Sequence, residues 1–268
     1  ESLPSLMCYF HLSLWTFAIP GASPTRCRPC KNMFTPFLKN SKLYSPGKTI
    51  PGSSFHNLSV CGSDMSRNSG AIILFEWNSF VDPEQVAAIL FAIADIEEHT
   101  CLRFREKTLV NFSSEQGRPD GCYAHVGYWN TRGVHTLNLT PSAPGTGCFR
   151  HTTIVHEWNH IFGFLHMQST YNRNDYVQIM WDNILPGMEH NFNKYEQNLV
   201  SNLGLPYEYD SCMHYGAYGF SINGEPTIVP LHVSITVAGI REVYVTDWDW
   251  LRINRHYDCP GAWDEDRH

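Results

Sequence analysis

Residues 151–177, with the sequence HTTIVHEWNHIFGFLHMQSTYNRNDYV, decide how the rest of the chain is interpreted. His156 and His160 stand four residues apart, so on a helix both imidazoles project from one face, about one turn apart, and can share a metal ion. Glu157 lies between them, where its carboxylate is near that ion without having to be a ligand. This is the position that a general base requires.

A third histidine completes the pattern. His166 comes three residues after Gly163, and a glycine there can take the positive φ that ends a helix and turns the chain back toward the same ion. Three neutral imidazoles suit zinc and leave a coordination position for water. These residues therefore predict a site for one zinc ion per chain.

The full pattern HExxHxxGxxH is much more specific than HExxH alone, which also occurs by chance in unrelated helices. The longer pattern is typical of metzincins, which also require a methionine turn further along the chain. Met213, within the sequence SCMHY at residues 211–215, supplies a candidate for that turn. We expect Met213 to pack beneath the metal without taking part in bond-making.

At this level of detail the chain resembles the astacin family, whose signature is HExxHxxGFxHExxRxDRDxYV. The shared residues are His156, Glu157, His160, Gly163, Phe164, His166, Arg173, Asp175, Tyr176 and Val177. The family's Ser-x-Met-His-Tyr turn is matched by Ser211, Met213, His214 and Tyr215. The resemblance begins near Asn68 and continues to about Cys259.

The resemblance implies an α+β, metzincin-type catalytic domain. Its upper subdomain would contain a twisted mixed sheet and two long helices, its lower subdomain would be irregular, and the active-site cleft would lie between them. We therefore divide the chain into an N-terminal extension at 1–67, a peptidase domain at 68–260 and a short tail at 261–268.

The resemblance also assigns roles to residues. Tyr215 would be a further zinc ligand that swings away to bind the oxyanion of the tetrahedral intermediate. Tyr123, Ala124 and His125 match the family's edge strand, to which an extended substrate adds by backbone hydrogen bonding. The expected chemistry is hydrolysis of peptide bonds in extended protein substrates, with Glu157 passing the proton from water to the leaving amine.

Four residues depart from the signature: Met167 replaces Glu, Thr170 replaces Arg, and Asn172 and Asn174 replace Asp. In the family the missing Glu is linked to the buried mature N-terminus, a polar link that Met167 cannot make. These departures leave open a second reading, a catalytically impaired secreted protein that holds zinc and binds its target. A third reading is that residues 1–67 do not belong to the protein.

Composition narrows the class of protein. The 268 residues are 43% hydrophobic and 17% charged, which suits one domain with a sizeable core. A net charge of −7 gives no indication of nucleic-acid binding. No apolar run approaches the ~20 residues of a membrane span. We expect a monomer whose partners are its protein or peptide substrates.

Nine cysteines favour a secreted protein with disulfide bonds. By the resemblance, Cys101 would pair with Cys259 and Cys122 with Cys148, which leaves Cys212 as a buried thiol. The pairing of the remaining cysteines stays open; they are Cys8, Cys27, Cys30 and Cys61. Three sequons that agree with a secreted glycoprotein begin at Asn57, Asn111 and Asn138.

The first 67 residues are rich in Ser, Pro, Gly and Asn and show no sustained periodicity. Residues 7–22 could be the apolar part of a signal peptide, although no basic segment precedes them. Asp64 is a candidate for the family's pro-segment aspartate that caps the zinc, and Cys61 is an alternative as a thiolate switch.

Local patterns predict the main elements of the domain. Residues 71–75 form an apolar run typical of a buried strand, and residues 134–139 alternate as a half-buried strand does. Residues 83–98 carry apolar residues at helical spacing after a strong helix start, and the stripe includes Leu90. A last helix begins near Thr246.

Overall fold

The computed structural model describes residues 57–59, 71–75, 77, 82–106, 121–127, 135–232 and 244–264, with the backbone alone at 57–59. The predicted signal segment, Asp64 and the first four cysteines lie outside these residues, as do Asn111 and the side chain of Asn57. The interpretations that rest on them stay predictions.

A five-stranded mixed sheet forms the upper region. Its strands are β1 (Asn57–Ser59), β2 (Ile72–Phe75), β3 (Arg103–Glu106), β4 (Tyr123–Ala124) and β5 (His135–Asn138). Their order across the sheet is β3-β2-β1-β5-β4; β2 and β3 are parallel and the other pairs are antiparallel. Because β1 precedes residue 68, the sheet includes residues that we expected to lie outside the peptidase domain.

Two helices pack together against this sheet, α1 (Pro83–His99) and α2 (His151–Phe162). Asp82 caps α1 by accepting a hydrogen bond from the backbone N–H of Glu84 at 2.8 Å, as its sequence predicts. The expected apolar stripe is wrong at Leu90, which is 44% exposed. Ala92 takes the buried position, because it lies on the same helical face as Ile89 and Ile96.

Strand β5 differs from the half-buried strand that its alternation predicts. All four of its residues are buried, since β1 and β4 flank it and α2 packs against it. The Asn138 amide is 0% exposed and donates to the Gly121 carbonyl at 2.8 Å. The Asn138 side chain is therefore buried, whereas a glycan acceptor has to be exposed.

The lower region, residues 167–232, consists mainly of loops and short 3-10 turns. A two-stranded antiparallel sheet, β6 (Val177–Ile179) and β7 (Ile228–Pro230), is its regular part. A second cluster of buried apolar residues fills its interior: Met167, Val177, Ile179, Ile184, Phe192, Tyr207, Tyr209 and Ile228. The departure at Met167 is thus accommodated as part of this core.

The last helix is α3 (Asp247–His256), and Thr246 begins it with a capping box. Just beyond α3, Cys259 forms a disulfide with Cys101, which lies between α1 and β3. A second disulfide joins Cys122 to Cys148, and Cys212 is buried and unpaired. These are the pairings that the resemblance implies. Among the described helices, none is both long and apolar enough to cross a membrane.

Candidate metal centre

Helix α2 presents two of the three predicted histidines, and its end positions the third. Gly163 caps the helix with φ 104°, a left-handed conformation that suits glycine, and its N–H donates to the His160 carbonyl. The chain then turns back and brings His166 to the other two imidazoles. The sequence prediction for this glycine is therefore confirmed by the backbone.

The three imidazoles form one compact cluster. One ring nitrogen each from His156, His160 and His166 lie within 4.8 Å of one another. Across the part of the chain that the structure describes, no other group of three or more His, Cys, Asp or Glu residues meets this criterion. The spacing allows a single ion to contact all three.

Hydrogen bonds at the far side of two rings fix their tautomers. Nδ1–H of His156 donates to the Cys212 carbonyl at 2.8 Å, and Nδ1–H of His160 donates to the Phe164 carbonyl at 2.9 Å. A carbonyl can only accept, so each Nδ1 carries the proton and each Nε2 keeps its lone pair. This is the arrangement of zinc-binding histidines, in which the second nitrogen is held by a carbonyl.

Burial keeps these imidazoles neutral. It lowers the pKa of His156 to about 4, and burial, followed by repulsion from His156 when that ring is protonated, lowers the pKa of His160 to about 3. Burial also lowers the pKa of His166 well below its usual value. Since only a neutral imidazole can donate a lone pair to a metal, the donor set fits zinc.

Glu157 directly follows His156 on α2 and is only 3% exposed. Its Oε2 is buried and has no hydrogen-bond partner among the described residues. Burial raises the pKa of Glu157 to about 8, whereas a cation held by the three histidines would favour the carboxylate again. A buried carboxylate oxygen without a protein partner is suited to binding water or substrate.

The methionine turn is joined by hydrogen bonds to the segments that carry the histidines. Met213 is buried, and its carbonyl accepts a hydrogen bond from the N–H of Met167, the residue after His166, at 2.8 Å. The N–H of Tyr215 donates to Oε1 of Gln168 at 3.1 Å. These bonds hold the turn against the segment that carries the third histidine.

Tyr215 is half-buried, and its ring centroid lies 4.4 Å from that of His166. Burial and then the charge of Glu157 raise the pKa of Tyr215 to about 12. The phenol therefore remains protonated near neutral pH and can donate a hydrogen bond. The structure thus brings together all five residues predicted to hold the metal or move protons.

The three candidate substrate-binding residues lie in or directly after β4, the last strand in the described order of the sheet. Tyr123 and Ala124 form β4, whose described strand partner is β5. His125 follows, and both its backbone N–H and its ring Nδ1 bond to Thr136 of β5 at 2.9 Å. The imidazole of His125 therefore helps to hold the edge strand in place.

Two residues around the site have no signal in the sequence that indicates their roles. Gln168 is fully buried and holds the backbone of Tyr215, from 47 positions earlier in the chain. Asp249 appears in the sequence only as an acid near the start of a helix, yet it bonds to Ser211 and Cys212. Such contacts depend on the folded path of two loops and leave no local pattern.

Three neutral imidazoles, two of them buried and one half-buried, lie on an α+β domain with a carboxylate next to them in sequence, and together they form a site that fits zinc. Residues 64–258 match the family model described as Astacin, a family of peptidases. The chain therefore belongs to the astacin family, as its signature predicts.

Relatives and a solved structure agree with this assignment. The chain is 36% identical over 180 residues to Zinc metalloproteinase nas-7 of Caenorhabditis elegans, a match that covers 66% of this chain and 44% of that protein. It is 37% identical over 192 residues to Seminal metalloprotease 1 of Drosophila melanogaster, covering 70% and 75%. The chain thus spans less than half the length of nas-7 and most of the length of the fly protein.

The structure of High choriolytic enzyme 1, a hatching enzyme zinc-protease from Oryzias latipes, is similar to this fold with a TM-score of 0.59. The two chains are 30% identical, and the match covers 75% of this chain and 100% of that one. The predicted α+β metzincin-type fold is therefore confirmed.

Proposed function

We propose that this chain is a secreted zinc endopeptidase that hydrolyses peptide bonds of extended protein substrates. The observation that carries the proposal is the cluster of three imidazole nitrogens together with the buried Oε2 of Glu157, which has no hydrogen-bond partner among the described residues. Membership of a peptidase family and the similarity to zinc proteases support it further.

His156, His160 and His166 would hold one zinc ion, with Tyr215 as an additional ligand in the resting site. When bound, zinc supplies a Lewis acid that lowers the pKa of water and polarises a carbonyl group. The protein's part is to keep the three imidazoles neutral and correctly oriented. The hydrogen bonds from Nδ1 of His156 and His160 support this role.

Glu157 would then move the proton. Its carboxylate takes a proton from the attacking water as the water adds to the scissile carbonyl, and later delivers it to the leaving amine. The Tyr215 phenol would donate a hydrogen bond to the oxyanion that forms on the former carbonyl oxygen. The position of its ring beside His166 supports this assignment.

The substrate would bind as an extended strand along β4. An extended chain adds to a sheet by backbone hydrogen bonding at its last strand, and Tyr123 and Ala124 form the last strand in the described order. His125 would contribute by fixing the edge through Thr136.

The secreted location is supported by the two disulfides, which form and persist in oxidising compartments. The names of the similar proteins agree with a role outside the cell, because they include a seminal protease and a hatching enzyme. The expected monomeric state stays a prediction.

The alternative of an inactive, zinc-holding binding protein is not favoured. Its main motivation is Met167, which the structure places in the lower core with its N–H bonded to Met213. A protein that only binds has no physical need for a buried glutamate, next in sequence to a metal ligand, whose Oε2 has no partner among the described residues. The retained Glu157 therefore supports catalysis.

The test is hydrolysis of a mixed peptide library by the full chain, with Glu157→Gln and, as a matched control, Glu196→Gln on the exposed surface. We expect the parent and the control to cleave and Glu157→Gln to lose about 10²–10⁴-fold in rate while keeping its zinc. Equal cleavage by Glu157→Gln, or a folded, zinc-loaded parent that cleaves nothing, would contradict the proposal.

A further inference from the structure

Asp249 of α3 makes more hydrogen bonds than a helix cap needs. Its carboxylate accepts from the Thr246 N–H, which completes the capping box. It also accepts from the Ser211 hydroxyl at 2.5 Å and from the Cys212 N–H at 2.9 Å. The side chain is only 2% exposed, so these bonds form away from water and hold the start of the methionine turn against α3.

The residues that Asp249 holds are directly connected to the metal site. The carbonyl of Cys212 accepts the Nδ1–H of His156 at 2.8 Å, and Oγ of Ser211 accepts the Met213 N–H at 3.1 Å. Two hydrogen bonds, linked through the backbone of Cys212, thus connect the carboxylate to the imidazole. Each member of the series is buried.

We propose that Asp249 is a positioning residue for the metal ligand His156, an inference that rests on the proposed zinc site. By fixing Ser211 and Cys212, the carboxylate places the Cys212 carbonyl where it holds the Nδ1–H tautomer and the ring orientation of His156. Outer hydrogen-bond partners of this kind typically change metal affinity by about 10–100-fold. The helix cap and the metal site are thereby coupled through one side chain.

The charge around Asp249 makes a mild substitution feasible. Nη1 of Arg252 lies 3.7 Å from Oδ1 of Asp249, and the same guanidinium also pairs with Glu208. Removing the charge of Asp249 therefore leaves Arg252 with a partner instead of an isolated buried charge. Asp249→Asn keeps the shape of the side chain. The carboxylate accepts hydrogen bonds through two oxygens, however, whereas the amide has only one acceptor oxygen.

The experiment measures the zinc affinity of the full chain by competition with a chromogenic chelator. Asp249→Asn is compared with Asp247→Asn, which removes the same charge from the same helical turn at an exposed position. We expect about a tenfold or greater loss of affinity for Asp249→Asn and less than about a twofold change for Asp247→Asn. The visible spectrum of the cobalt-substituted protein should change in the first variant alone.

A second variant keeps the inference testable if Asp249→Asn does not fold. Ser211→Ala removes one donor to Asp249 and leaves the Cys212 N–H bond in place, so we expect a loss of several-fold in zinc affinity with retained far-ultraviolet circular dichroism. Unchanged affinity and an unchanged cobalt spectrum in a folded variant, even with a lowered Tm, would overturn the inference and leave the proposed function intact. A folded parent that binds no zinc would overturn both.

Discussion

The upper region and the lower region of this molecule are each stabilised by different interactions. The upper region uses repeated backbone ladders and apolar faces, since the sheet and helices α1 and α2 share one large core. The lower region, 167–232, has few ladders and combines a smaller apolar cluster with buried side chains that bond to backbone carbonyls. Arg173, for example, donates to the carbonyls of Gln168 and Phe192. The metal site lies where these two kinds of structure meet.

Because its core is apolar, we expect the stability of the upper region to be most sensitive to loss of an apolar side chain. Trp158 is 1% exposed and packs against Phe75, Phe104 and Phe162. We expect Trp158→Ala to lower the free energy of unfolding by about 3–5 kcal/mol, measured by denaturant unfolding. Phe91→Ala, on the exposed surface of α1, is the control and should change it by less than about 0.5 kcal/mol. Similar losses in both variants would contradict this view of the upper core.

The lower region should instead be most sensitive to loss of a buried polar side chain. Arg173→Met leaves the Gln168 and Phe192 carbonyls without their donor, so we expect a loss of about 3 kcal/mol. Hydrogen exchange should show reduced amide protection in 167–232 and near-normal protection in α1 and β2. The exposed Arg105→Met is the control. An equal loss of amide protection in both regions would contradict the view that they are stabilised by different interactions.

A smaller effect concerns His256, at the end of α3, which packs against Phe164 near the metal site. Burial lowers its pKa to about 4, from about 6.5 when unfolded, so between these values the unfolded state binds more protons. The free energy of unfolding should therefore rise as the pH is raised from about 4 to about 6.5. We expect His256→Gln to reduce this rise in the free energy of unfolding by about 1–2 kcal/mol. The effect is smaller than the full pKa shift implies, because the side chain is half-buried and solvent screens it.

The check is the Tm of parent and variant across pH 4 to 7, compared as a difference so that other buried histidines cancel. An exposed histidine, changed as His190→Gln, should give a profile parallel to that of the parent. A His256→Gln profile that is also parallel to the parent would show that the buried imidazole does not contribute to the pH dependence.

Sequence predicted the parts of the molecule that depend on local pattern. The metal-site helix, its Gly163 cap and the start of α3 at Thr246 follow from spacing and capping, which act within a few residues. The burial of β5 was not predictable, because Thr136 and Asn138 are polar residues whose burial depends on neighbouring chain segments. No local pattern predicts strand β1, because Asn57–Ser59 lies in a segment without periodicity.

The supporting residues of the site were also beyond a sequence prediction. Gln168 and Asp249 act across 47 and 37 positions of the chain, through bonds to backbone atoms that carry no residue-specific signal. By contrast, the three histidines and Glu157 were predictable because their chemistry dictates both residue type and spacing. The substrate side chains that the cleft prefers depend on surfaces that neither pattern nor signature defines.

The most direct test of the account is to remove the metal from the full chain with a chelator and titrate zinc back while measuring peptide hydrolysis. We predict that activity is lost on chelation, returns in proportion to added zinc and reaches a plateau at one equivalent per chain. His160→Ala, which removes one of the three imidazoles, should not recover. Hydrolysis that survives complete removal of the metal, or that His160→Ala retains, would contradict a centre built on His156, His160 and His166.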